Sequence, residues 1–369
     1  MTRYNPKNER IKRAYLRHLK EARGKADSTV DAVRRAIGRF ETYTGRKDLA
    51  TFNREQAIGF KKHLANGRAM RSGQAIAKST LVAVTSALKD FFGWLSSQAG
   101  YKSRIRVTDI EYLNLSEKET RAAKEPRFKT FPTMEQIGAV IRQMPSETEV
   151  EQRDRALVAM TILTGARDSA LASLRLKHID LERKLVVQDP RDVRTKRSKR
   201  IDTFFFPVGD DFEAIVVEWV RYLREVKLFG NEDPVFPHTR VRRASAGSFI
   251  ADGVEPSFWQ NTQPIRRIFH DAFAKAGLPY FRPHSFRDTL VKHGEDHAPT
   301  IAHFKAWSQN LGHEYVGTTL TSYGSITPHR QGELVRSVTV GESSDDTRTR
   351  ELFDQFMRMV KQGTKPVEG

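Results

Sequence analysis

Apolar residues recur along this chain with helical spacing, and the spacing changes character part-way. Residues 8–23 set Ile11, Ala14, Tyr15 and Leu19 on one side of a helix among basic residues. Ser28 with Asp31 reads as a capping box opening a second helix, with Val30, Val33, Ile37 and Phe40 inward. Asn53 is placed to cap a third helix through Leu64, and Ser79 a fourth, whose inner face is Leu81, Val84, Leu88, Phe91, Phe92 and Leu95. Such a run predicts a small helical bundle. The basic, glycine-containing stretch 67–80 precedes its best helix, where backbone amides can face phosphate.

Residues 100–130 lose the periodicity and gain charge, and 106–128 reads as a linker. Thr133 and Gln136 then open a helix with Ile137, Val140, Ile141 and Met144 inward. Residues 155–164 are apolar nearly all round, the mark of a helix central to a second core. Ala170, Leu171 and Leu174 continue a short helix. Segments 181–190 and 200–208 read as strands, joined by a basic hairpin tip at 194–199. Residues 211–226 form a helix with Phe212, Ile215, Val216, Trp219, Leu223 and Val226 on one face. The polar stretch 238–262 reads as a long loop, and 264–276 as a helix. Beyond Pro283 come two helices and a short third bearing Tyr323. Residues 342–349 look like a tether to a terminal amphipathic helix with Leu352, Phe353, Phe356, Met357 and Val360.

The expected fold is mainly α with a small β-hairpin, in the α+β class. A helical bundle spans 1–105, a linker 106–128, a second domain 129–341 and a tethered helix 342–369. Composition narrows the partner. Lys and Arg number 63 against 45 Asp and Glu, a net charge of +18, which suits a polyanion, nucleic acid first. No apolar run approaches a membrane span, and the first residues lack a signal-peptide core, so the expectation is a cytoplasmic protein with no membrane partner. The absence of cysteine excludes disulfides and thiolate metal sites.

Candidate chemistry gathers in a few short motifs: GAR at 165–167, RTK at 194–196, HSFR at 284–287, LGH at 311–313 and SYG around Tyr323. These residues suit metal-free attack of a tyrosine on a phosphodiester. Arginine forks match the nonbridging oxygens, which gain charge in the transition state, and Arg167 and Arg287 are the candidates. A lone arginine is more often an ordinary surface ion pair, but Arg167 follows a buried helix and a glycine. Tyr323 would store the bond energy as a phosphotyrosyl ester. Its phenol needs help in losing a proton, which neighbouring arginines and His284 could give. Lys196 on the hairpin could protonate the leaving 5′-oxygen, with Lys199 an adjacent rival. His313 would hydrogen-bond the scissile phosphate. His293 and His297 do not make the zinc-protease helix motif, and neither metal nor cofactor is expected.

In order and spacing together, these motifs resemble the tyrosine recombinases of the phage-integrase family. The resemblance covers nearly the whole chain and implies a helical core-binding bundle followed by a tyrosine-recombinase catalytic domain. It implies a clamp around double-stranded DNA, a 3′-phosphotyrosine with a free 5′-hydroxyl, and exchange through a Holliday junction. It implies a homo-tetramer with two active protomers at a time, its terminal helix docked on a neighbour. It carries catalytic roles to Arg167, Lys196, His284, Arg287, His313 and the nucleophile Tyr323. Accessory DNA-bending proteins or a second recombinase are partners the family admits. Two positions depart from its pattern. Ala170 stands where the family usually has an acid, with Asp168 about 200° away around a helix. Tyr323 lies ten residues after His313 rather than nine, and Tyr315 is the poorer alternative nucleophile. The bundle begins near the first residue, so a recombinase acting on core sites is expected. Type IB topoisomerase-like relaxation, or a DNA-binding or synapsis protein with impaired catalysis, are the competing readings.

If the positive charge serves DNA, affinity falls about 10³–10⁵-fold between roughly 50 and 200 mM salt for a footprint of some 6–10 phosphates. Fluorescence anisotropy on a labelled duplex measures this, and an affinity indifferent to salt would contradict it.

Overall fold

The structure is a computed structural model that describes residues 4–67, 75–124, 130–243, 249–313 and 317. Tyr315, Tyr323, the expected tether and the terminal helix lie outside the described residues. The chain divides into two compact units, Met1–Pro126 and Arg127–Gly369.

The first unit is helical. Helices α1 (Pro6–Glu21), α2 (Asp27–Tyr43), α3 (Arg54–Asn66) and α4 (Lys78–Ser96) enclose a core of Phe40, Phe60, Phe91 and Phe92. Phe40 meets Phe60 and Phe92 edge-on, at 5.1 and 5.2 Å between ring centres, the arrangement that ring quadrupoles favour. Asn8 is fully buried, and its side chain is satisfied by the Lys47 carbonyl and the Leu49 amide. Asn53 caps α3 through the Gln56 amide, as its position suggests. The other two expected caps are corrected. Helix α2 starts from Ala26 and α4 from Ala77, neither with a side-chain cap bond, so Ser28 and Ser79 sit one residue inside their helices. Asp27 opens α2 instead, where its charge suits the helix dipole and pairs with Lys20 at 2.9 Å.

The stretch expected as a linker also differs. It holds α5 (Val107–Glu111) and α6 (Glu117–Lys124), and α6 packs on α4. Ile110 and Leu113 are buried in the first core. Helices of five and eight residues are too short for a periodicity to show.

The second unit is built around α8 (Glu149–Thr164), buried without interruption from Ala156 to Thr164. Capping boxes start both α8, from Thr148 and Glu151, and α7 (Met134–Gln143), from Thr133 and Gln136. After the one-turn α9 (Asp168–Leu171), an antiparallel sheet of β1 (Ile179–Asp180), β2 (Leu185–Gln188) and β3 (Ile201–Phe204) forms in the order β1-β2-β3. Val186 faces Thr203 and Gln188 faces Ile201, so the β2–β3 connection projects the basic tip. Helix α10 (Asp210–Arg221) widens into a π-helical turn over Tyr222–Val226, with Lys227 N–H reaching the Tyr222 carbonyl. That wider turn leaves Val226 64% exposed rather than on the inner face.

The stretch 238–262, expected as a loop, differs too. It contains an antiparallel hairpin of β4 (His238–Arg243) and β5 (Phe249–Glu255), with an irregular register between Thr239 and Val241. Strand β4 is almost wholly exposed and β5 buries only Val254, so no alternation of burial marked them. Helices α11 (Gln263–Lys275), α12 (Ser285–His297) and α13 (Ile301–Asn310) complete the unit. No helix among the described residues is long and apolar enough to cross a membrane.

Gly165 ends α8 at φ +59, where a Cβ would come within 2.7 Å of Leu311 Cδ2 and 3.1 Å of Leu290 Cδ1. Gly277 has a similar φ of +67 with nothing nearby. Gly277→Ala should therefore cost only the left-handed backbone, about 1–2 kcal/mol, whereas Gly165→Ala adds about 1–3 kcal/mol of crowding. Denaturant midpoints of the second unit check this, and equal losses would contradict it.

Candidate active site

The motifs named from sequence occupy the ends of helices that meet at one place. Gly165 takes the left-handed conformation that stops α8, Ala166 is buried, and Arg167 becomes the N-cap of α9. The Thr164 hydroxyl fixes this turn by accepting from the Ala166 amide at 3.1 Å. Arg167 is half-buried as a result.

The LGH motif is a helix stop of defined form. Leu311 caps α13 and Gly312 follows at φ +75. Gly312 N–H donates to the Gln309 carbonyl at 2.7 Å, and His313 N–H to the Ser308 carbonyl at 3.2 Å. These are the paired bonds of a Schellman motif, which needs a glycine-like residue at that point. A Cβ on Gly312 would lie 2.9 Å from Ile201 Cδ1. His313 is thereby fixed to the last turn of α13 and is buried.

HSFR opens α12. His284 is its exposed N-cap, and Arg287 lies one turn in. Phe286 anchors the helix against Phe269 and Phe273, while the Thr289 hydroxyl donates to the Pro132 carbonyl. Arg287 is only 3% exposed, and it joins the other two motifs. Its Nη1 donates to the Gly165 carbonyl and its Nη2 to the Leu311 carbonyl, both at 2.6 Å. Nη2 also lies 3.0 Å from His313 Nε2. Arginine can only donate, so Nε2 accepts and the His313 proton sits on Nδ1. These three partners are neutral, and Nε has no hydrogen-bond partner among the described residues. A buried cation solvated in this way favours the arrival of an anion.

Burial drives the His313 pKa down to about 4, helped by the positive charges of Arg287, Arg167, His284 and Lys196. The imidazole is neutral near pH 7. The same field shows that five of the six residues named from sequence share one neighbourhood. Lys196 is exposed at the start of a tight turn on the β2–β3 connection. Lys199, its rival, lines with His313, Gly312 and Ile201 a cleft of about 390 Å³. Tyr323, the sixth, lies outside the described residues.

Two further side chains bear on the site. The Asn310 side chain bridges to β3, donating to the Phe204 carbonyl at 2.9 Å and accepting from the Phe204 amide at 2.8 Å. It thereby ties the sheet to the helix that carries His313, and no sequence pattern marked it. Ala170 is buried in the core, and the Asp168 carboxylate is bound by Arg266 of α11 at 2.9 Å. Asp168 therefore does not replace the acid that position 170 lacks.

Arginines, imidazoles and a lysine gathered on helix ends make a centre suited to a phosphodiester, the class of site that strand-transferring enzymes of DNA require. Comparison with known proteins makes this specific. Residues 133–328 match the model of the phage integrase family, and residues 13–99 that of the phage integrase N-terminal SAM-like domain. The tyrosine recombinase XerC of Lactobacillus delbrueckii subsp. bulgaricus is 26% identical over 253 residues, covering 68% of this chain and 73% of its own. XerD of Haemophilus influenzae is 25% identical over 301 residues, covering 80% and 87%. A crystal structure of a lambda integrase dimer bound to a core site shares the fold at a TM-score of 0.57, with 14% identity over 87% of this chain and 96% of that one. The chain belongs to the phage integrase family. It is a tyrosine-type site-specific recombinase, an enzyme that cleaves and rejoins DNA strands.

The pH dependence of stability follows from His313. Its folded pKa lies below the unfolded value of about 6.5, so the unfolded state takes up the proton first. Its contribution is complete above that value and is lost as pH falls toward about 4. Thermal melts between these limits should fall more steeply for wild type than for His313→Gln, and parallel curves would contradict the assignment.

Proposed function

We propose that this recombinase acts at core sites on double-stranded DNA through a 3′-phosphotyrosyl linkage made by Tyr323. The observation that carries the proposal is the buried Arg287 guanidinium, which joins the GAR turn to the LGH cap while its Nε lacks a partner among the described residues. Arg287 and Arg167 bind the nonbridging oxygens of the scissile phosphate, where charge builds as the bond changes. The Tyr323 oxygen attacks phosphorus, and the phosphorus–O5′ bond breaks. His284, with the neighbouring arginines, assists loss of the phenolic proton. The Lys196 ammonium delivers a proton to the departing 5′-oxygen, and His313, neutral before DNA arrives, donates a hydrogen bond to the phosphate. Attack of a 5′-hydroxyl on the phosphotyrosine reverses these steps and joins a new strand, with no external energy source.

Exchange of both strand pairs requires several protomers. The lambda integrase relative has been crystallised as a tetramer on a Holliday junction, at a TM-score of 0.55 and 16% identity over 83% of this chain and 77% of that one. A homo-tetramer with half its sites active at a time is the assembly proposed here, the C-terminal segment 342–369 docking on a neighbour.

The test is covalent trapping with a library of nicked suicide duplexes carrying a randomised core, resolved on a denaturing gel with EDTA present. Wild type should form a protein–DNA adduct enriched in one core sequence, and Tyr323→Phe none. Arg287→Lys should slow adduct formation about 10²–10³-fold. An adduct that persists in Tyr323→Phe would move the nucleophile, with Tyr315 next. Adducts without a preferred sequence would favour a topoisomerase. Salt-sensitive binding without any adduct would leave a binding or synapsis protein, the reading that Ala170 keeps open.

A further inference from the structure

The proton donor proposed above sits on an exposed connection, yet such a group must be held close to its target to act. The residues just before Lys196 show how that connection is held. Val193 is buried in the second core. Asp192 is paired with Lys177 at 2.9 Å, and Asp189 closes a turn through the Val193 amide at 2.7 Å. Arg194 then reaches across to two other segments. Its backbone N–H donates to Ser173 Oγ at 2.9 Å, and that hydroxyl lies 3.0 and 3.1 Å from the carbonyls of Ser169 and Ala170 in α9. Its Nη2 donates to the carbonyls of Ala172 at 3.3 Å and Trp259 at 3.1 Å, and its Nη1 to that of Gln260 at 3.4 Å.

We infer that Arg194 is a positioning residue for the proton donor, lashing the segment that carries Lys196 to the helix that begins at Arg167. The inference rests on the reading of Lys196 as the general acid. Arg194 stands two residues before Lys196, and α9 starts from the arginine proposed to hold the phosphate. Its side chain reaches the Ala172 carbonyl at the C-cap of α9, and its backbone N–H reaches Ser173, so this one residue couples donor segment and phosphate site. A planar guanidinium fork suits this task, because it meets carbonyls on separate segments at fixed angles, which an ammonium does not. Arg194 is exposed, and its Nη groups are turned to protein carbonyls, so an unchanged salt dependence of DNA binding is what separates this role from a phosphate contact.

The experiment compares two forms of the duplex selected by trapping, with oxygen or sulfur as the 5′-bridging atom of the scissile phosphate. A thiolate leaves without a proton, since a thiol ionises far more readily than an alcohol, at about 8.5 for a cysteine side chain. Single-turnover cleavage is measured at saturating protein for wild type, Lys196→Ala and Arg194→Ala. On the oxygen substrate, Lys196→Ala should lose about 10²–10⁴-fold and Arg194→Ala about 10²-fold. On the sulfur substrate both should return close to wild type, with DNA affinity and its salt dependence unchanged for Arg194→Ala. If sulfur rescues Lys196→Ala but leaves Arg194→Ala slow, the positioning role is overturned and Arg194 serves folding or phosphate binding. If sulfur fails to rescue Lys196→Ala, the general-acid reading itself falls and the inference falls with it. Rescue also certifies that Arg194→Ala is folded, because a misfolded centre would cleave neither substrate.

Discussion

The catalytic half of this molecule depends on one buried charge. Arg287 is almost wholly withdrawn from water, and its described partners are two carbonyls and an imidazole. A guanidinium in that position is tolerated only if the surrounding dipoles are aimed at it. The two carbonyls come from the last turns of different helices, where backbone acceptors are left over in any case. The charge thus consumes acceptors that α8 and α13 would otherwise have to satisfy elsewhere, and in return it fixes the two helix ends against each other.

This arrangement explains why the site is made of punctuation rather than of regular structure. Arg167 and His284 are N-caps, His313 follows a C-terminal glycine, and Lys196 begins a tight turn. Each sits where the chain changes direction, and each direction change is rigid. Gly165 and Gly312 adopt left-handed conformations with side chains packed against the space a Cβ would need. Precise placement comes from the helices, and access comes from their ends. Asn310 extends the same logic to the sheet, since it satisfies the exposed edge of β3 with the side chain of a helix terminus.

Much of this was legible in the sequence because the informative residues have short-range causes. The central helix was marked by a stretch apolar nearly all round, the α7 cap by Thr133 and Gln136, and the motif glycines by their places at helix stops. What was not legible depended on long-range packing or on solvent. The β4–β5 hairpin buries little, so period-two alternation never appeared. Helices α5 and α6 are short and highly charged, and Ile110 and Leu113 reveal themselves only once a core exists to receive them. Ser28 and Ser79 resembled caps, but each helix began one residue earlier, where Asp27 and Lys78 stand. The π turn that exposes Val226 has no local signature. For the site, the motifs named the participants, while the bonds from Arg287 to Gly165 and Leu311 span 122 and 24 residues and could not be read from either neighbourhood.

The composition of the Arg287 pocket has a consequence for how such an enzyme can change. If it holds the scissile phosphate as proposed above, it engages a group identical at every step of a duplex and reads no base. Such a centre would be blind to sequence. Where it cuts must be decided by other surfaces that deliver a particular phosphate to it. Those surfaces can diverge freely, under whatever target they face, while the helix ends that hold Arg287 stay as they are. On that reading recognition and chemistry are separable in this chain, and a new target would need no new catalyst.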